Sequence, residues 1–132
     1  MKEQKIDTSE VADYPSKKGK TTITPEVLET IARLTALSVP GVSRMAEAPG
    51  SVDKIFRRGL PDGVRIVVEL DIVTFDLYLV LKNDVSILDV SRNVQRNVCR
   101  AISEMVGMTV DWVNIHVEDI YFPETPGQAK EA

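Results

Sequence analysis

His116 and Cys99 are the only histidine and the only cysteine in the chain, and they are the first places to look for chemistry. A hydrolytic triad needs an imidazole aimed at a nucleophile and oriented by a carboxylate. Glu118 and Asp119 follow His116 closely, but no motif marks a nucleophile. His116 therefore reads as a half-exposed strand residue. Cys99 has no CxxC partner and no metal-ligand spacing around it. It reads as a small buried hydrophobe, with a redox-sensitive or interface thiol as the other reading. Asp111, Glu118 and Asp119 form no acid–base pattern and read as a solvated face. The glycines make neither GxGxxG nor a P-loop, and no GxxG clamp for RNA appears. No catalytic, cofactor-binding or metal-binding residue is assigned.

The residue types with the sharpest spacing are suited to recognition rather than catalysis. Arg92, Arg96 and Arg100 recur every four residues and form a ladder on one side of a helix, away from the apolar stripe Val90–Val94–Val98. Such a ladder could meet phosphates, anionic headgroups or an acidic patch of another subunit. The plainer reading is a solvated face paired with Asp89 and Glu104. Trp112 and Tyr78 fall on the polar sides of two strands and could share an exposed aromatic patch, which favours a protein interface. Burial under a neighbouring segment is the alternative.

The elements that must carry these residues are legible from hydrophobic period. "ITPEVLETIARLTALSVPGV" predicts a helix with Thr24 as N-cap and Pro25 at the first helical position, ended by Pro40 and Gly41. Its apolar stripe is Val27, Leu28, Ile31, Leu34 and Leu37. A short strand is expected near Val42–Met45, and "VDKIF" is a strand or a loop. Period-two alternation predicts strands in "GVRIVVEL" and "DIVTFDLYLVLK", with a hairpin or bend near Asp71. In the second, Val73, Phe75, Leu77, Leu79 and Leu81 share the core face, while Thr74, Asp76, Tyr78, Val80 and Lys82 face water. Ser86 caps a second helix through Ile87, Val90, Val94, Val98, Ala101 and Met105, and Gly107 closes it. A final strand, "MTVDWVNIHVEDIYF", sets Val113, Ile115 and Val117 against Trp112, Asn114, His116 and Glu118.

This order predicts a two-layer α+β fold: a mostly antiparallel sheet of three to four strands with two main helices packed on one face. Residues 1–20 read as a flexible arm, 21–122 as one domain and 123–132 as a flexible tail. The 132 residues are 43% hydrophobic but only 5% aromatic, so the core must be built from Val, Ile and Leu. A net charge of −4 argues against a general nucleic-acid binder. A single cysteine suits a reducing compartment. No apolar run is long enough to span a membrane.

The pieces "ITPEVLETIARLTALSVPGV", "GVRIVVEL", "FDLYLVLKNDVSILDVSRNVQRNV" and "VGMTVDWVNIHVEDI" resemble, in order across residues 23–120, the alkaline shock protein family. These are envelope stress response proteins of Gram-positive bacteria. The family often has a Tyr-Gly pair before the second helix, where this chain has Lys82, Asn83 and Asp84. The resemblance implies a non-enzymatic cytoplasmic protein with no agreed catalytic residues. Some relatives self-assemble and are tethered to the inner face of the membrane by a separate anchor protein. The resulting expectation is a scaffold or regulatory protein of envelope homeostasis, acting through self-association and protein contacts, with a membrane-anchor protein as one candidate partner. The candidate surface is Arg92, Arg96, Arg100, Trp112 and Tyr78. The alternative is a nucleic-acid-binding module using the arginine face.

Overall fold

The structure, a computed structural model, describes residues 6–7, 11–16, 18–49 and 63–123. Its elements are β1 (Ile6–Asp7), β2 (Val11–Ser16), β3 (Gly19–Ile23), α1 (Pro25–Leu37), β4 (Val42–Met45), β5 (Val64–Glu69), β6 (Ile72–Lys82), α2 (Ile87–Met105) and β7 (Thr109–Tyr121). The fold is α+β, as the pattern predicts: two helices lie on one face of a mostly antiparallel four-stranded sheet. Two strands, β1 and β2, lie within the stretch expected to be an arm, and with β3 they make a separate antiparallel three-stranded sheet. They are short and show little alternation, so hydrophobic period gives no signal for them. "VDKIF" lies outside the described residues.

β6 organises the larger sheet. β7 pairs with it in parallel from Ile72 to Lys82 and so occupies one whole edge. A strand has two edges, so β4 and β5 must share the other. β4 pairs antiparallel with Leu79–Leu81, and β5 with Ile72–Leu77. β5 turns into β6 through Leu70–Asp71, a two-residue hairpin rather than a bend. α2 is the crossover that lets β7 run parallel to β6.

The core forms where β6 meets the helices. Val73, Phe75, Leu77, Leu79 and Leu81 are all fully buried, as the alternation requires. Burying each such side chain contributes about 1.5–3 kcal/mol. Across from them, α2 presents Val90, Val94, Val98 and Ile102. Ile102 belongs to this stripe, whereas Ile87 and Met105, expected inside, are 45% and 69% exposed. The stripe follows strict four-residue steps, and its two expected ends fall away from the sheet. α1 differs in the same way. Its buried residues are Leu28, Ala32 and Ala36, while Val27, Leu34 and Leu37 are largely exposed. Two alanines let the helix axis approach closely, so the contact face follows the small residues rather than the large ones. Thr24 does stand at the N-cap, but its side chain makes no capping bond. Ser86 does cap α2, accepting from the Asp89 N–H.

β7 reaches its facing by slipping register twice. Its partners on β6 skip Asp111 and Glu118. Each skipped residue is a bulge, which shifts the face parity by one. The result places Val110, Val113, Ile115, Val117 and Ile120 all against the core, although 110 and 113, like 117 and 120, differ in parity.

Gly63 sits just before β5, against the end of β4. The Ala46 N–H donates to the Tyr78 carbonyl, and the Tyr78 N–H donates to the Gly63 carbonyl. A Cβ on Gly63 would lie 2.5 Å from the Ala46 oxygen and 2.7 Å from that of Tyr78, at a φ of +58°. Gly107, which closes α2 at φ +82°, has nothing within 4 Å of such a Cβ. Gly63→Ala is therefore expected to cost about 3 kcal/mol or more, and Gly107→Ala only about 1 kcal/mol, in denaturant unfolding. Leu70 holds φ +58° in the hairpin turn, exposed, where glycine is usual. Leu70→Gly should gain about 0.5 kcal/mol in the same assay, the relief of strain exceeding the added chain entropy.

Candidate functional site

The two-layer fold has two outward surfaces. One is the far side of α2, and the other is the sheet face turned away from the helices. The expected site residues divide between them.

Arg92, Arg96 and Arg100 are all exposed on α2, on the side away from the buried Val90–Val94–Val98–Ile102 stripe. A helix rises about 1.5 Å per residue, so the ladder runs for about 12 Å. Arg96 donates to the Asn93 side-chain oxygen at 2.9 Å. Among the described residues no ion pair joins the ladder to Asp89 or Glu104, so the expected pairing does not form. Cys99 lies on the same helix and is exposed, not buried. Four-residue steps from Val90 reach Val94, Val98 and Ile102, and Cys99 falls outside that run.

On the outer sheet face the register stacks residues in rows. Thr74 lies between Val67 and Trp112, Asp76 between Arg65 and Asn114, and Tyr78 beside His116. Trp112 and Tyr78 do not form a common exposed patch. Trp112 is 64% exposed, whereas Tyr78 is 7% exposed and carries the His116 ring on its face, centroids 4.5 Å apart and 12° from parallel. Val80, also expected to face water, is buried too.

The partner of His116 is Asp76, not its sequence neighbours Glu118 and Asp119. His116 Nε2 lies 2.9 Å from Asp76 Oδ1, and the Asn114 amide donates to the same oxygen at 3.2 Å. The side chains are 40% and 29% exposed. Asp76 and His116 are 40 residues apart, and parallel pairing through a helical crossover brings them together. Nothing in local pattern announces such a pair; only the charge of Asp76 in a mostly apolar strand hints at it. Among the described residues, the side chains that contact the His116 ring are thus the Asp76 carboxylate and the Tyr78 phenol, and the two together fix its orientation. Across β6, the Arg65 guanidinium donates to the Pro49 carbonyl. On the helix side of β7, the Gln95 amide donates to the Val113 carbonyl at 3.0 Å, tying α2 to the outer edge of the sheet.

The fold is a two-layer α+β protein with one cationic helix face and a mostly polar outer sheet face on which Trp112 is exposed. The chain is a member of the alkaline shock protein family, described as having a cell envelope-related function, whose model matches it over residues 13–122. It is 35% identical over 106 residues to the uncharacterized protein YqhY of Bacillus subtilis, covering 79% of this chain and 78% of that one. It is 35% identical over 109 residues to the uncharacterized protein Spy1535 of Streptococcus pyogenes, covering 82% and 84%. Among solved structures it is similar to a MamM CTD variant, with a TM-score of 0.47 and 13% identity over 72% of this chain and 96% of that one.

Tyr78→Ala should cost about 3 kcal/mol of stability, and Trp112→Ala about 0.5 kcal/mol or less, in paired unfolding curves. For the partly exposed Asp76–His116 pair, a double-mutant cycle to alanine should give a coupling of about 1 kcal/mol or less, since solvent screens it.

Proposed function

We propose that the protein is a non-catalytic scaffold or regulator of cell-envelope homeostasis that works through protein contacts, self-association among them. The observation that carries this reading is the Arg92–Arg96–Arg100 ladder. Three exposed guanidinium groups stand on a helix whose other side is anchored by four buried side chains. Arginine in a fixed array suits carboxylate recognition, because its planar fork bonds both oxygens at once. The anchored helix also lowers the cost of ordering those groups on binding. Family membership supplies the envelope context. No helix among the described residues is long and apolar enough to cross a membrane. In this proposal the chain works in the cytoplasm, held at the inner face of the membrane through an anchor protein.

Nucleic acid is the competing ligand for the same ladder. The net charge of −4 weighs against it, since phosphate-driven binding draws on overall positive charge.

The test is cross-linked affinity purification from native cells, comparing the wild type with Arg92→Glu/Arg96→Glu/Arg100→Glu. The wild type is expected to recover a small membrane protein and further copies of itself, and the variant to lose both while keeping its circular dichroism and melting temperature. An unchanged partner set would contradict the assignment. Nuclease-sensitive recovery of RNA or DNA that weakens steeply with salt would transfer the ladder to nucleic acid.

A further inference from the structure

The hairpin end of the outer sheet face carries apolar side chains that the core does not use. Val67 and Trp112 flank Thr74 on the two neighbouring strands, and Ile72 lies on the same face of β6, two residues before Thr74. Leu70 stands in the turn that ends this face. All four apolar side chains are exposed. Neighbouring strands lie about 4.8 Å apart, so Val67 and Trp112 bracket a shallow apolar surface about 10 Å across. Contiguous apolar surface of this kind, bounded by polar residues, marks an interaction site.

Leu70 adds a second and independent sign. Among the described residues it is the only one besides glycine with positive φ, at +58°. Glycine holds such a turn with less strain. Here the turn keeps a leucine and leaves its side chain in water. Strain retained for a side chain that the fold does not bury points to a use outside the fold.

The surrounding charges select the occupant. Glu69 pairs with Ile72 across the hairpin, Asp71 completes the turn, and Asp111 is the bulged residue before Trp112; all three are exposed. The basic residues of β5, β6 and β7 are Arg65 and Lys82. The Arg65 guanidinium donates to the Pro49 carbonyl, and Lys82 stands at the far end of β6. We propose that this end of the sheet docks a short segment of another protein, in which an apolar or aromatic side chain is flanked by lysine or arginine. The apolar side chain covers Val67, Ile72 and Trp112, with Leu70 beside it. The cations meet the three carboxylates and the face of the indole. A membrane surface also takes exposed tryptophan and leucine, but anionic headgroups would be repelled by the same carboxylates. The site is on the sheet, apart from the arginine face on α2, and does not depend on what that face binds.

Trp112 is the only tryptophan in the chain, so its fluorescence reports on the patch directly. The test selects short peptides from a random phage-displayed library on the full-length wild type. The enriched peptides are then titrated into the wild type, Leu70→Gly, Glu69→Lys/Asp111→Lys and Arg92→Glu/Arg96→Glu/Arg100→Glu. The expected peptides set an apolar residue beside lysine or arginine and shift Trp112 emission to the blue, with affinity that falls as salt rises. Leu70→Gly should bind at least about fivefold more weakly while melting no lower than the wild type. Glu69→Lys/Asp111→Lys should lose about tenfold or more. The arginine-face variant should bind as the wild type does. Enriched peptides without basic residues, an unmoved Trp112 emission, or full-strength binding by either sheet variant would overturn the proposal. So would a blue shift brought on by the protein's own concentration, which would give the patch to a second copy, or by anionic lipid vesicles in place of peptide. Binding lost in the arginine-face variant would place the peptides on α2 and overturn it too. Failure here leaves the arginine face untouched, because its test reads the cellular partners of a different variant.

Discussion

The structure depends on the burial of β6. It is paired along its whole length on one edge by β7 and is shared end to end by β4 and β5 on the other. Its five odd-numbered side chains from Val73 to Leu81 are fully buried under α1 and α2. Each neighbouring element is placed by a contact to this strand. The double slip in β7 keeps five apolar residues on the core side of it. Gly63 is required because a side chain there would meet the Tyr78 and Ala46 carbonyls. Tyr78 and Val80, on the opposite face of β6, are buried as well, so the centre of the strand is dry on both sides.

That frame holds the two outward surfaces apart from the core. The ladder stands on a helix held by Val90, Val94, Val98 and Ile102 from below and by the Gln95 bond to β7 at its side. Trp112 stands on a strand paired with β6 from Ile72 to Lys82. Neither surface contributes much to the core, and neither needs to.

Period carried most of the fold. Strict alternation in 73–81 and the four-residue steps from Val90 were enough to place β6 and α2 and to set them face to face. Period failed where size or distance decides instead. In α1 the buried face follows Ala32 and Ala36, which carry too little hydrophobicity to outweigh Leu34 and Val27 in a sequence pattern. The bulges at Asp111 and Glu118 are visible only in hindsight, as two parity breaks among the β7 apolar residues. The site was less legible than the fold. The ladder is local and was readable from spacing. The Asp76–His116–Tyr78 group is assembled by parallel pairing across a crossover, and register of that kind leaves no local trace. Tyr78 looked exposed because its neighbours Asp76 and Lys82 are polar, yet a stacked imidazole covers it.

The frame and the arginine face are separable parts of this fold. Residue-resolved hydrogen exchange on the wild type and on Arg92→Glu/Arg96→Glu/Arg100→Glu tests it directly. If they are separable, the amides of 73–81 and of the buried turns of α2 exchange slowest in both proteins, with the same protection, because global unfolding alone exposes them. If reversing three outward charges opens α2 or loosens β6 well before global unfolding, the ladder is part of the fold, and a change in partners on mutating it says nothing about recognition.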